Sequence, residues 1–201
     1  MKSMLKDYQL LLGSASPRRH ELIYLMNLPY RIVKMRVDES YPLHLKGADI
    51  AEYLSRKKSM AYFKNLTDKE ILVTADTIVW HKDEALEKPE SRQNAIEMLH
   101  RLSNDWHQVF TGVTLAHLSL QTTFSVCTEV YFETLTDEEI EFYVDDYRPF
   151  DKAGAYGMQE WLGVVKVSKI KGSYTNVVGL PTAELYIQLR NFIRSIDSEN
   201  D

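Results

Sequence analysis

The chain has a single cysteine among 201 residues, Cys127, so no disulfide can close within it and the fold must rest on packing and hydrogen bonds. No apolar run approaches the roughly 18 residues that a membrane-spanning helix needs, which excludes such a span. Met1–Tyr8 carries two lysines but no apolar stretch of signal-peptide length, and a reducing cytoplasm is the expected setting. Basic residues are in deficit, 24 Lys and Arg against 29 Asp and Glu, and the net charge of −5 repels nucleic-acid backbones and anionic membranes. Neither a stable nucleic-acid partner nor a membrane partner is expected, and an anionic ligand must meet local positive charge. Eight glycines and six prolines form no linker or low-complexity tract, and no repeat is present. A single domain over residues 1–201 is therefore expected, with a disordered tail at Asp197–Asp201.

What remains is ordinary globular material: 44% hydrophobic and 26% charged residues can build one α/β core. Gln9–Leu12 reads as a short strand, Gly13-Ser14 as a loop, and Ser16-Pro17 as a cap followed by proline at the first helical position. That helix carries Leu22, Ile23 and Met26 and stops near Pro29; Tyr30–Val37 then reads as extended, closed by Asp38-Glu39. Asp49 caps a second helix, whose Ile50, Tyr53, Leu54 and Ala61 share a stripe with Lys57 and Lys58. Ile71–Trp80 has the β-branched, apolar character of a central strand buried on both faces, followed by a polar turn His81–Glu87. Ser91–Leu102 reads as a helix, Val109–Leu120 and Thr122–Phe132 as an antiparallel pair joined around Gln121, and Thr136–Glu139 as a capping box opening a helix through Tyr147. Gly163–Ile170 reads as a strand and Pro181–Ile196 as a closing helix. Mixing β-α units with an antiparallel pair predicts a mixed sheet flanked by helices.

Gly13–Arg19 places small residues, free amides and two guanidinium groups at a helix N-terminus, which is a phosphate cradle. Two arginines in a first turn oppose the helix dipole by roughly some tenths of a kcal/mol, so they serve a ligand; the plainer alternative is a capped helix with solvated arginines. Asp76 interrupts the central strand, where a carboxylate is costly to bury unless it is paired, hydrogen-bonded or bound to a cation. Asp38-Glu39 supplies a second acidic pair, and carboxylates completed by water are how Mg²⁺ is held against phosphate, although a solvated turn is the ordinary alternative. Lys58 falls on the inward face of its helix, and Lys88 is held extended before Pro89; each alone would usually be surface charge. Asp151–Gln159 is rich in small residues with charged ends, a ligand-facing loop whose Gln159 amide can meet a base edge. His107 and His117 have neither metal-ligand nor triad spacing, and Gly172–Asn176 reads as an ordinary turn.

Taken in order, Gly13–Arg19, Val37-Asp38-Glu39, Thr74–Thr77, Lys88-Pro89, Leu102-Ser103 with His107 and Thr111–Val113, Asp151–Gln159 and Asn176–Pro181 resemble the Maf family, from Leu11 to about Leu189. The resemblance implies a Maf/ITPase-like α/β fold, a mixed twisted sheet flanked by helices with two lobes around a central cleft. It implies a nucleoside triphosphate pyrophosphatase dependent on a divalent cation, Mg²⁺ or Mn²⁺, and often a homodimer. By position, Asp76 is similar to the family's proton acceptor, and Arg18, Thr77 and Gln159 to the positions that set base preference. Ser14, Arg19, Glu39, Lys58 and Lys88 match its other polar site residues, with Glu39 and Asp76 expected at the metal. Whether Asp76 acts mainly as base or as ligand stays open. The Asp151–Gln159 string is similar to the branch acting on dTTP and UTP, and unlike the branch acting on 7-methyl-GTP. Three departures stand out: Glu87 where glycine commonly precedes the lysine and proline, Tyr147-Arg148 for a Gly-acid pair, and Glu160-Trp161 where glycine is common after Gln159. The expected reaction releases monophosphate and diphosphate by water attack at the α-phosphorus. A non-catalytic nucleotide sensor or a cell-division (septum) regulatory protein would use the same cradle.

Overall fold

The computed structural model describes residues 4, 5 and 7–199. Its sheet is organised by the most apolar strand, β3 (Glu70–His81), in which every residue from Ile71 to Asp76 is buried. β1 (Gln9–Gly13) pairs parallel with β3 on one side and with the short edge strand β2 (Tyr30–Ile32) on the other. Across β3 lie β5 (Trp106–Ala116), β6 (Gln121–Phe132) and β7 (Val167–Lys171), all antiparallel to their neighbours, giving the order β2-β1-β3-β5-β6-β7. The expected mixed sheet is the one that forms.

The parallel pairs require crossovers, supplied by α1 (Pro17–Leu25) and α2 (Ala48–Phe63). Ser91 caps α3 (Arg92–Leu102) by accepting from the Asn94 N–H. α4 (Asp137–Tyr147) has the full capping box of Thr136 and Glu139. α5 (Trp161–Lys166), α6 (Tyr174–Val178) and α7 (Thr182–Glu199) complete the chain. Two large apolar clusters result. One joins β1, α1 and α7 through Leu10, Ile23, Leu189 and Phe192; the other joins α3, α4 and the ends of β5 and β6 through Leu99, Val109, Phe132 and Ile140.

Several elements differ from the sequence expectation. The strand expected over 30–37 ends at Ile32, because β2 is an edge with exposed Arg31 and Ile32 and pairs only with β1, so 38–39 lie in irregular chain. The polar turn over 81–87 contains a strand, β4 (Glu84–Leu86), hairpinned onto β3. Lys82 and Asp83 both take positive φ there, the backbone of a tight hairpin turn without its usual Asn-Gly signal. The long hairpin turns earlier than Gln121, between Ala116 and Gln121, closed by His117 N–H to Leu120 O at 2.8 Å. The strand expected over 163–170 begins as the helix α5 and pairs only from Val167, and the turn over 172–176 leads into α6, capped by Ser173. On α2, Gly47 rather than Asp49 is the cap position, and Ala61 is exposed while Ser55 and Ser59 are buried. The C-terminal stretch is helical through Glu199, and Asp197 accepts a 2.9 Å hydrogen bond from Tyr8 Oη, so the disorder expected from 197 does not hold for 197–199; residues 200 and 201 lie outside the described residues. Met1, Lys2, Ser3 and Lys6 of the N-terminal reading also lie outside them. Among the described residues no helix is long and apolar enough to cross a membrane.

Candidate active site

The loop after β1 is pinned before α1 begins. Ser14 Oγ accepts from the Ser16 N–H at 3.1 Å, and the His20 ring nitrogen Nε2 lies 2.7 Å from the Ser14 carbonyl. Arg18 and Arg19 then leave the first turn of α1 in different directions. Arg19 Nε donates to the Gly179 carbonyl at 2.8 Å and a terminal nitrogen donates to Thr77 Oγ1 at 3.0 Å. Gly179 has φ +126, a backbone that disfavours a side chain, which ties a glycine to this anchor. Burial lowers the Arg19 pKa, and Asp76 pulls it back up; a guanidinium stays protonated regardless. Arg18 donates to Asp151 Oδ2 at 3.1 Å on the facing wall.

Asp76 stands on β3 opposite Gly112 and is 8% exposed. Its burial is tolerated because Lys58, from α2, donates to Oδ1. The same ammonium lies 2.8 Å from Glu39 Oε1, and Lys88 Nζ donates to Glu39 Oε2 at 2.8 Å. Partial burial works against ionisation of Glu39, but Lys58 and Lys88 outweigh it and hold the carboxyl at about 2. A folded pKa below the ordinary carboxylate value means stability that is present above about pH 4.5 and is lost as pH falls towards 2. The difference in melting temperature between the protein and Glu39→Gln is therefore expected to hold from pH 6 to about pH 4.5 and to shrink as pH falls from there towards 2; a difference that stays constant down to about pH 3 would remove the two-lysine clasp as its cause.

One cavity of about 920 Å³ is lined by Ser14, Arg18, Arg19, Glu39, Lys58, Asp76, Thr77, Lys88 and Gln159, so the nine residues matched by position to the family's site converge. Their engagement differs. The Thr77 hydroxyl is occupied by Arg19 and by Thr111 Oγ1 at 2.9 Å, whereas Gln159 is exposed and its amide has no hydrogen-bond partner among the described residues. Asp38 does not line the cavity; it bonds Ser40 and Lys57, so the acidic pair divides and only Glu39 faces inward. His107 is buried against Tyr156 Oη at 2.7 Å, burial drops its pKa to about 3, and it belongs to the core. His117 is buried and bonded to the Asp68 carbonyl.

Sequence reasoning missed Lys34, Arg36 and Lys152, which also line the cavity. Lys34 and Arg36 alternate with buried Val33 and half-buried Met35, a period-2 signal that places both on one face. Neither has a carboxylate partner among the described residues, while Lys152, 7% exposed, is held by Asp151 and Glu160. In all, seven cations and three carboxylates line the cavity of a chain whose net charge is −5. Such a local surplus of positive charge favours an anion there, against the overall field. Two departures from the Maf pattern also find partners: Glu87 accepts from Tyr41 Oη at 2.7 Å, and Tyr147 stacks on Tyr143 with centroids 5.0 Å apart.

The donor set also suits a hard divalent cation. Two carboxylate oxygens, from Glu39 and Asp76, converge on one positive centre, the Lys58 ammonium, and no group of three or more His, Cys, Asp or Glu forms a closed cage among the described residues. An open pair of carboxylates completed by phosphate and water is the usual surrounding of Mg²⁺ at a nucleotide.

The model of the family described as Maf-like protein matches residues 9–192. A dTTP/UTP pyrophosphatase of Bacteroides thetaiotaomicron is 49% identical over 191 residues, covering 94% of this chain and 99% of the relative. The Bacteroides fragilis protein of the same name is 48% identical with the same coverage, and that of Flavobacterium johnsoniae is 43% identical over 193 residues, 96% of this chain and all of the relative. Among solved structures, a nucleoside-triphosphatase (dITP/XTP pyrophosphatase) of Mycobacterium abscessus aligns over 92% of this chain and 97% of its own at 13% identity with a TM-score of 0.47. With a family match over nearly the whole length and relatives far above 30% identity, the chain belongs to the Maf-like protein family.

Proposed function

We propose that this protein hydrolyses dTTP and UTP to the monophosphate and diphosphate. The observation that carries the reading is the Lys58 ammonium shared by Glu39 and Asp76 at the floor of a cation-rich cavity, next to the Ser14–Arg19 cradle. Phosphoryl-transfer chemistry needs mainly positioning and charge neutralisation, and the cavity offers both. The names of the relatives support the pyrimidine triphosphate as substrate.

Arg18, Arg19, Lys58 and Lys88 surround the phosphates and offset their charge. Asp76 accepts a proton from the water that forms the new bond to the α-phosphorus, while the bond to the bridging oxygen breaks and diphosphate leaves. Glu39 and Asp76 would hold Mg²⁺ or Mn²⁺, which when bound supplies electrostatic stabilisation of the phosphates. Gln159 meets the base with its amide, and modified pyrimidine nucleotides with the same pairing edge fall within its reach. The substrate class and the lone Cys127 support a cytoplasmic setting, and the family resemblance supports a homodimer.

The decisive experiment is a screen of canonical and modified triphosphates with Mg²⁺, Mn²⁺ or chelator, measuring monophosphate and diphosphate together. Equal release of both from dTTP and UTP, abolished by chelator, is expected; nucleotide binding without release would favour a sensor. Gln159→Ala is expected to lower the ratio of pyrimidine to purine hydrolysis, measured as relative kcat/KM, and an unchanged ratio would count against base reading by this residue.

A further inference from the structure

A continuous line of hydrogen bonds leads from the cavity to Glu160 and Tyr143, which do not line it. It starts at Arg18, which donates to Asp151 Oδ2 at 3.1 Å. Lys152 Nζ donates to the other Asp151 oxygen at 2.7 Å and lies 3.0 Å from Glu160 Oε1. Tyr143, fully buried on α4, donates its hydroxyl to Glu160 Oε2, and the same phenol oxygen accepts from the Gly157 N–H at 2.9 Å. Burial and the Glu160 carboxylate push the Tyr143 pKa up, so the phenol keeps its proton and serves as donor to one neighbour and acceptor for the other. Gly157 is seated against Glu160 so closely that a Cβ there would fall 2.7 Å from Glu160 Cδ.

The end of this line is two residues from Gln159. A primary amide presents an acceptor on one side and a donor on the other, and a rotation exchanges them. A loosely held glutamine therefore pairs as well with the N4–H and N3 of cytosine as with the O4 and N3–H of thymine or uracil. Backbone groups lack that freedom, since a peptide N–H only donates and a peptide carbonyl only accepts, so discrimination between the two bases requires the turn beside the amide to be held in one conformation. Nothing in the Gln159 side chain provides this, since its amide has no partner among the described residues. The fixing groups are the Gly157 N–H bond to Tyr143 and the Glu160 carboxylate, which Lys152 holds in turn. Because Lys152 and Tyr143 are buried, leaving any one of them unpaired is costly, and the line holds a single arrangement.

We infer that Tyr143 and Glu160 are positioning residues for base selection: they fix residues 157–159, and with them the backbone donors and acceptors beside the Gln159 amide, and tie that turn through Lys152 and Asp151 to Arg18 on the phosphate side. The inference rests on the reading of Gln159 as the base-contacting residue.

The test measures dissociation constants of dTTP and dCTP by calorimetry, with chelator present to prevent turnover, for the full chain and for Tyr143→Phe and Glu160→Gln. Wild type is expected to prefer dTTP. Loss of one hydrogen bond in the line is expected to lower that preference by about fivefold in each variant, through weaker dTTP binding, with the protein still folded. A preference unchanged in both variants, equal weakening of both nucleotides, or no preference in wild type overturns the inference. If Tyr143→Phe fails to fold, Glu160→Gln decides alone. Diphosphate release from dTTP by wild type with Mg²⁺, followed in parallel, judges the hydrolase reading separately, because the binding ratio is read without turnover.

Discussion

Asp76→Asn is expected to lower dTTP turnover by at least about two orders of magnitude, the usual size of a lost general base. The substitution keeps the shape of the side chain and an oxygen for Lys58, so it deletes a proton acceptor and one negative charge without emptying space. KM is expected to hold or fall, because removing an anion from the floor of the cavity eases the approach of a triphosphate. That split between kcat and KM separates a chemical role from a loss of binding. Titrating Mn²⁺ into the variant separates the two roles that Asp76 can play. Turnover that recovers at high metal concentration points to a ligand role, and turnover that stays low points to proton transfer. Turnover within a few-fold of wild type, measured as diphosphate release at saturating dTTP, would remove Asp76 from the reaction.

The sequence made the position of Asp76 legible because a strand reports its own burial. Ile71–Trp80 is apolar on both faces, and a carboxylate inside such a run demands a partner. Lys58 was legible for a similar reason, since its spacing from Ile50 and Leu54 put it on the inward stripe of α2. The irregular chain between β2 and α2 was not. Asp38 and Glu39 are adjacent and chemically alike, and only the tertiary course sends one to Lys57 and Ser40 and the other to Lys58 and Lys88. The β3–β4 hairpin was hidden because Lys82-Asp83 takes a conformation usually announced by Asn-Gly. Lys152 was read only as part of a ligand-facing loop with charged ends; its burial depends on Glu160, whose place beside it comes from the packing of α5 against residues 157–158. Single residues that satisfy or violate a local pattern can be read in a sequence, whereas pairings across loops cannot.

Gly112→Ala tests how the fold delivers Lys58 to Asp76. α2 rests on the sheet along a seam of small residues, Ala51, Ser55 and Ser59, all buried. Ser55 Oγ bonds Thr114 Oγ1 at 2.9 Å, and Thr74 Oγ1 donates to the Ser55 carbonyl at 2.8 Å, so the helix axis is fixed at that depth. A Cβ on Gly112 would fall 2.4 Å from both the carbonyl carbon and oxygen of Ala51 and 2.5 Å from the Glu52 nitrogen. These are backbone atoms of a helix, so no rotamer relieves the clash and α2 must move as a body. Such overpacking costs up to about 3 kcal/mol, and a rigid neighbour places this case at the upper end. For a chain of this size the melting temperature is then expected to fall by about 6–12 °C. Because Lys58 rides on α2 and Asp76 pairs with Gly112 across β3 and β5, the displacement opens the ion pair directly. A misplacement near 1 Å at a catalytic group can cost about 10²-fold in rate, so turnover measured well below the lowered melting point is expected to fall by that order. A melting temperature within about 2 °C of wild type would show that α2 has room to spare, and the close seam would then no longer account for how an ammonium reaches a carboxylate in the centre of the sheet.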